Sequence, residues 1–259
     1  MLKLIDKYLI KIFSKDYLAI TRDQLSHDRF LFGLDRIKKL QNSKKKIDIL
    51  DVGCGSCNFF GYLDSSDLNF SYTGMDYDKE KLSKNIKFDS KKNDLKIKEL
   101  NLKYADPENK YDIVWCSEVI EHIIDHDNFF KFLKNSCKKN GYIILTSTNI
   151  NFVNKFGGDF KILMDKSEVE DGGHVRLGYI LKDFKKFADD NNLKVLDNFY
   201  ISECDERRIK GRYYYKNEFN FLIFNFLCAI RLFNYTRYIH VDNDKNDSKY
   251  HCIATIYKN

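Results

Sequence analysis

The chain has 259 residues, 43% hydrophobic and 15% aromatic, enough apolar mass to bury one large core or one core with a small appendage. Its formal charge of +6, with runs such as Lys44-Lys45-Lys46, could draw anionic partners, but abundant Lys, Asn and Ile with a single proline suggest biased base composition, and the charge runs read as a solvated surface. Seven cysteines with no secretory leader expected exclude a disulfide framework; they read as reduced thiols and small core residues of a cytoplasmic protein, with no C-x-x-C pair expected among them.

Leu2, Ile5, Leu9 and Ile12, then Phe30, Leu34, Ile37 and Leu40, recur at helical spacing. Residues 1–42 are therefore predicted as helices that precede the first strand. Ile49 to Val52 is an apolar run, interrupted by Asp51, that opens into Gly53-Cys54-Gly55-Ser56-Cys57-Asn58. Gly53 and Gly55 remove two Cβ atoms where the backbone must turn sharply and lie against a ligand; a bulky residue at either position would fill the ligand's space. Phe59-Phe60-Gly61-Tyr62-Leu63 then suits a helix packed on the sheet with its first N–H groups aimed at the loop. A dinucleotide fingerprint needs a third glycine where Asn58 stands, which counts against a nicotinamide cofactor. The next strand ends in Asp76, an acid placed to bind a ribose diol.

Strands are predicted at 47–52, 70–75, 95–100, 111–116, 141–147, 194–201 and 250–257. They alternate with helical stretches, which argues for a mostly parallel sheet covered on both faces. The fourth strand runs into Glu118-Val119-Ile120-Glu121-His122, where two carboxylates and an imidazole could converge on a pocket. Insertions at 149–178 and 204–245 are expected to carry substrate specificity. The first contains Gly172-Gly173-His174-Val175-Arg176-Leu177, a flexible loop with a second histidine, before a helix from Leu181 to Ala188. In the second, Arg207, Arg208, Lys210 and Arg212 precede Tyr213, Tyr214 and Tyr215; they read as a solvated turn with packing tyrosines, against a phosphate- and base-binding alternative. Phe219 to Phe233 is too short to span a bilayer, so no transmembrane segment is expected; the run reads as a buried lid, against peripheral contact with a membrane surface.

Asp-x-Gly-x-Gly at 51–55, Gly74-Met75-Asp76-Tyr77 and the strand from Tyr111 into Glu121-His122, in this order, resemble the class I S-adenosylmethionine-dependent methyltransferases over roughly residues 46 to 200. The resemblance implies an α/β fold with a Rossmann-like seven-stranded sheet, the last strand antiparallel and the ligand at the carboxyl ends of the first and fourth strands. It further implies a domain over residues 46–259, with residues 1–45 capping the site or packing on the sheet edge. S-adenosylmethionine would be held by Asp51, Gly53 and Gly55 around its methionine moiety, by Asp76 on the ribose and by Tyr77 against adenine. Asn101, Leu102 and Ser117 complete the cofactor set, Asn101 standing where the family often has an acid and Cys57 where it often has glycine.

Methyl transfer demands alignment of acceptor, methyl and sulfur, and a hydroxyl acceptor also needs a base. His122 is the predicted base or acceptor hydrogen-bonder, with His174 and Glu121 as the other catalytic candidates. The Glu-x-x-Glu-His segment resembles two groups of O-methyltransferases, one acting on hydroxylated aromatic polyprenyl compounds and one on the terminal 2′-hydroxyl of small RNAs. In the RNA group two Glu and two His hold a divalent metal, whose counterparts would be Glu118, Glu121, His122 and His174; no metal site is assigned on this basis. The leading reading is O-methylation of a small-molecule, sugar or lipid-linked hydroxyl. The alternatives are metal-assisted RNA 2′-O-methylation and a catalytically silent binding module, and N-methylation stays open. Neither the oligomeric state nor the identity of the acceptor follows from the sequence.

Overall fold

The computed structural model describes residues 24–41, 45–78, 80, 82, 93–99, 109–156, 174–204, 236–241 and 247–259. Leu2 to Ile12, Asn101, Leu102, the Arg207–Tyr215 cluster and the Phe219–Phe233 run lie outside the described residues.

In chain order the elements are α1 (Gln24–Leu40), β1 (Ile47–Val52), α2 (Asn58–Asp64), β2 (Phe70–Asp76), β3 (Asp94–Glu99), β4 (Tyr111–Ser117), a 3-10 turn (Ile120–His122), α3 (His126–Ser136), β5 (Cys137–Thr148), α4 (Ile150–Phe156), α5 (Leu181–Asp190), β6 (Lys194–Glu203), β7 (Tyr238–His240) and β8 (Tyr250–Lys258). The strands form one sheet in the order β3-β2-β1-β4-β5-β8-β6-β7. β1 through β5 pair in parallel, while β8 runs antiparallel between β5 and β6. The sheet thus has eight strands where seven were expected. The additional one, β7, is three residues long, pairs antiparallel with Phe199–Ile201 of β6, and falls inside the segment expected to be an insertion. β5 also starts at Cys137, ahead of the predicted residue 141.

Strand periodicity builds two cores. Along β4, Ile113 and Trp115 face one side with Phe32 and Ile37 of α1 and Phe59, Phe60 and Leu63 of α2. Val114 and Cys116 face the other with Phe129, Phe130 and Leu133 of α3 and Phe184 and Ala188 of α5. This two-residue alternation, carried through central parallel strands, explains why both faces are apolar and why helices cover each. α3 starts where the Asp125 carboxylate accepts the Asn128 N–H at 3.0 Å, a side-chain N-cap.

α1 packs directly on the sheet. The Phe32 ring meets Phe199 of β6 at 5.0 Å between centroids, and Phe30 stacks on Phe59 at 5.6 Å. The buried Asp28 carboxylate accepts from the Ser202 hydroxyl at 2.7 Å. The strand order reverses between β1 and its neighbours β2 and β4, which opens a crevice at their carboxyl ends, the usual ligand position in such sheets.

Candidate active site

The crevice is floored by the glycine loop. Gly53 and Cys54 both donate their N–H groups to the Met75 carbonyl, at 2.8 and 3.0 Å, which ties the end of β1 to the end of β2. Gly53 has φ 71°, and a Cβ there would lie 2.2 Å from Val119 Cγ2; the turn after β4, not the ligand, is what a side chain at this position would strike. Gly55, at φ 49°, faces open space: a Cβ there meets no atom within 4 Å. That opening fits a ligand lying against bare backbone.

Two carboxylates border the loop. Asp76 is 8% exposed and accepts the Gly55 N–H at 2.7 Å and the Asp78 N–H at 3.0 Å, one on each oxygen, leaving lone pairs for a diol. Asp51, 3% exposed, accepts from the Tyr72 hydroxyl. Burial pushes the Asp51 carboxyl up to about 7, with the charge of Asp76 acting in the same direction and the Tyr72 hydrogen bond opposing. A cationic ligand would favour its ionised form. Tyr77 follows Asp76 and is 51% exposed. Ser117, at the end of β4, shares a 2.9 Å hydrogen bond with the Thr146 hydroxyl.

Beyond β4 the chain passes through Glu118 in a left-handed conformation, φ 56°, into the 3-10 turn. Glu118 accepts from the Thr148 hydroxyl at 3.0 Å, the Thr146 hydroxyl at 3.3 Å and the Cys252 thiol at 3.4 Å, and Arg29 of α1 approaches it to 3.8 Å. Burial works against its charge, but Arg29, His251 and the Thr148 and Cys252 hydrogen bonds together hold the carboxyl below its ordinary value. Glu121 is fully buried: its Oε1 accepts from the Ser147 hydroxyl at 2.6 Å and the Thr148 N–H at 2.8 Å. Burial, reinforced by the Glu118 charge, pushes it up to about 8, so it is mainly a neutral acid at pH 7.

His122 and His174, separated by 51 intervening residues, meet with ring centroids 4.4 Å apart. Backbone hydrogen bonds make the pairing. The Glu121 carbonyl accepts the N–H groups of Val175 and Arg176, at 2.9 and 3.2 Å, and the Arg176 guanidinium donates to the Ile123 carbonyl at 2.6 Å. The Tyr179 hydroxyl donates to the Ile120 carbonyl at 3.1 Å. Burial, aided by His122, lowers His174 below the ordinary histidine range, so its imidazole is neutral at pH 7.

The expected cofactor residues Asp51, Gly53, Gly55, Asp76 and Tyr77 surround one loop, Ser117 and the two histidines line the adjacent strand end, and Glu121 lies behind them in the core. Among the described residues, no three His, Cys, Asp or Glu side chains converge as a metal site. Sequence reasoning missed Arg29, because the helical spacing of its neighbours Phe30, Leu34 and Ile37 signalled only packing. It also missed the thiol pair: Cys54-Gly55-Ser56-Cys57 is a C-x-x-C, contrary to expectation, and its sulfurs lie 3.5 Å apart.

A glycine loop between buried acids at the switch point of a Rossmann-like sheet defines a nucleoside-cofactor enzyme. A family model described as a methyltransferase domain matches residues 25–198, more than half of the chain. The chain belongs to the methyltransferase-domain family, whose cofactor is S-adenosylmethionine. Similarity also extends to the ubiquinone biosynthesis O-methyltransferases of Rickettsia typhi (34% identical over 128 residues, 49% of this chain and 51% of the relative) and Pelagibacter ubique (34% over 121 residues, 44% and 47%). The chain thus spans about half the length of these curated relatives.

Solved structures share the fold. The methyltransferase domain of bacterial CtHen1 superposes with TM-score 0.56 at 15% identity, covering 91% of this chain and all of that one. Coclaurine N-methyltransferase, bound to N-methylheliamine and SAH, superposes with TM-score 0.56 at 13% identity, covering 88% and 70%. The residues present fit the family's cofactor: open backbone at Gly55, a carboxylate with spare lone pairs at Asp76 and a buried acid at Asp51 suit a nucleoside bearing positive charge. Among the described residues no helix is long and apolar enough to cross a membrane.

Proposed function

We propose that this chain is an S-adenosylmethionine-dependent O-methyltransferase acting on a hydroxyl of a small-molecule, sugar or lipid-linked acceptor, and that it works in the cytoplasm. The observation that carries the reading is the His122–His174 pair at the carboxyl end of β4, beside the glycine loop. The names of the relatives from Rickettsia and Pelagibacter support it.

When bound, S-adenosylmethionine supplies an electrophilic methyl group. Asp76 would hold its ribose, Asp51 its charged end, and Tyr77 and Ser117 the rim, with Asn101 and Leu102 completing the set. Gly55 leaves the backbone open to it. His122 takes the acceptor's proton or hydrogen-bonds its oxygen, and His174, neutral at pH 7, packs against that ring and can pass the proton on. Glu121 acts through position: its side chain grips β5 while its carbonyl holds the backbone beside His174. α1 packs beside the site, with Arg29 approaching Glu118. A lipid-linked acceptor would be met at the membrane surface.

The test is methyl transfer from labelled S-adenosylmethionine to a panel of hydroxylated aromatic polyprenyl compounds, sugars and RNA ends. Turnover on a phenolic or sugar hydroxyl, reduced about 10²- to 10⁴-fold in His122→Ala at saturating acceptor, is expected. Unchanged turnover in that variant removes the base role, and transfer confined to RNA removes the acceptor class.

A further inference from the structure

Cys54 and Cys57 sit within the glycine loop, and the fold presses their sulfurs to 3.5 Å. The Cys57 N–H donates to the Cys54 carbonyl at 2.8 Å, closing the turn, and Cys57 takes a left-handed φ of 49°. Gly74 of β2 supplies the room: a Cβ there would stand 2.9 Å from Cys54 Sγ and 3.0 Å from Cys57 Sγ. Cys57 is buried, whereas Cys54 is partly exposed. The roles proposed above for methyl transfer use neither thiol.

We propose that Cys54 and Cys57 form a reversible disulfide that opposes cofactor binding, making the loop a redox-controlled site. A low-molecular-weight disulfide such as oxidised glutathione is the oxidant. The Cys54 thiolate attacks one of its sulfurs, forming a mixed disulfide and releasing one glutathione thiol; the Cys57 thiolate then displaces the second. Two protons and two electrons leave the protein, and one glutathione disulfide becomes two thiols. Bringing the sulfurs from 3.5 Å to the roughly 2.05 Å of an S–S bond shifts the intervening Gly55-Ser56 backbone. The Gly55 N–H is the donor that holds Asp76, so closure acts on the carboxylate assigned to the ribose. Because coupling is reciprocal, bound cofactor should shield the thiols by the same factor. The neighbouring Cys57 thiol, burial and the Asp51 and Asp76 carboxylates all raise the Cys54 thiol above its ordinary range, so little thiolate is present and exchange is slow at neutral pH.

The effect on affinity rests on the S-adenosylmethionine reading of the loop, and the experiment separates the two. The full chain is equilibrated in glutathione buffers of graded oxidation, its thiols are alkylated and mapped by mass spectrometry, and S-adenosylmethionine is titrated calorimetrically into each sample. A Cys54–Cys57 disulfide, an affinity loss of about tenfold or more that reductant reverses, and no redox response in Cys54→Ser or Cys57→Ser are expected. Added cofactor should slow the oxidation. Two alkylatable thiols in the most oxidising buffer, or a mapped disulfide with unchanged affinity, overturns the proposal while leaving the cofactor site intact. Failure of the reduced wild type to bind cofactor overturns the loop reading itself and with it the switch.

Discussion

Gly53 and Gly55 look equivalent in the loop but do different work. A methyl at Gly53 must displace Val119 as well as adopt φ 71°, whereas one at Gly55 faces open space and carries only the conformational cost, about 1–2 kcal/mol. Gly53→Ala is therefore expected to lower the melting temperature much more than Gly55→Ala, while Gly55→Ala chiefly weakens cofactor binding; equal melting temperatures would contradict this division. The buried acids set a pH dependence of opposite sign to the usual carboxylate case. Asp51 and Glu121 keep their protons up to about pH 7 and 8 in the folded chain but lose them near 3.8 and 4.5 when unfolded. Over that window the folded state binds more protons, so their stabilisation is full below the unfolded values and fades as pH rises through the folded ones. Melting of the cofactor-free chain should fall from pH 5 to pH 8, and Asp51→Asn with Glu121→Gln should flatten the slope. A slope unchanged in both variants would place these acids in water.

Helix α1 joins scaffold and site. Its Phe32 fills the layer beneath β6, and its Arg29 reaches the Glu118 carboxylate. Phe32→Ala is expected to cost about 3–5 kcal/mol in chemical denaturation, because it empties a fully buried ring position. Arg29→Ala should cost less, about 1–3 kcal/mol, and raise the protonation of Glu118 by removing its counter-charge. A larger cost for Arg29→Ala than for Phe32→Ala would mean that the ion pair, not the apolar layer, anchors the helix. Phe30, Leu34, Ile37 and Leu40 made α1 legible as a helix, but the Arg29–Glu118 contact joins elements far apart in the chain and leaves no local pattern. β7 was illegible for a related reason: Tyr238–His240 is only three residues, and its strand character comes from pairing with β6.

The sheet as a whole was readable because its central strands are buried on both faces, and because β1 (Ile47–Val52) runs into Gly53 while β2 (Phe70–Asp76) ends in an acid. The half of the site contributed by those strand ends was readable for the same reason. The other half depends on hydrogen bonds between backbones: the Glu121 carbonyl, accepting from Val175 and Arg176, is what places His174 against His122. The C-x-x-C pair stood in plain view, and reading its glycines as the loop's purpose hid the spacing of its thiols. Two apolar layers on one sheet hold the glycine loop, the paired acids and the paired histidines at the carboxyl end of β1 and β4. Calorimetric titration of S-adenosylmethionine into reduced wild type and Asp76→Ala addresses that arrangement directly. Saturable one-site binding by the wild type, lost in Asp76→Ala, is the predicted result; no binding by the wild type, or equal affinity in the variant, would contradict it.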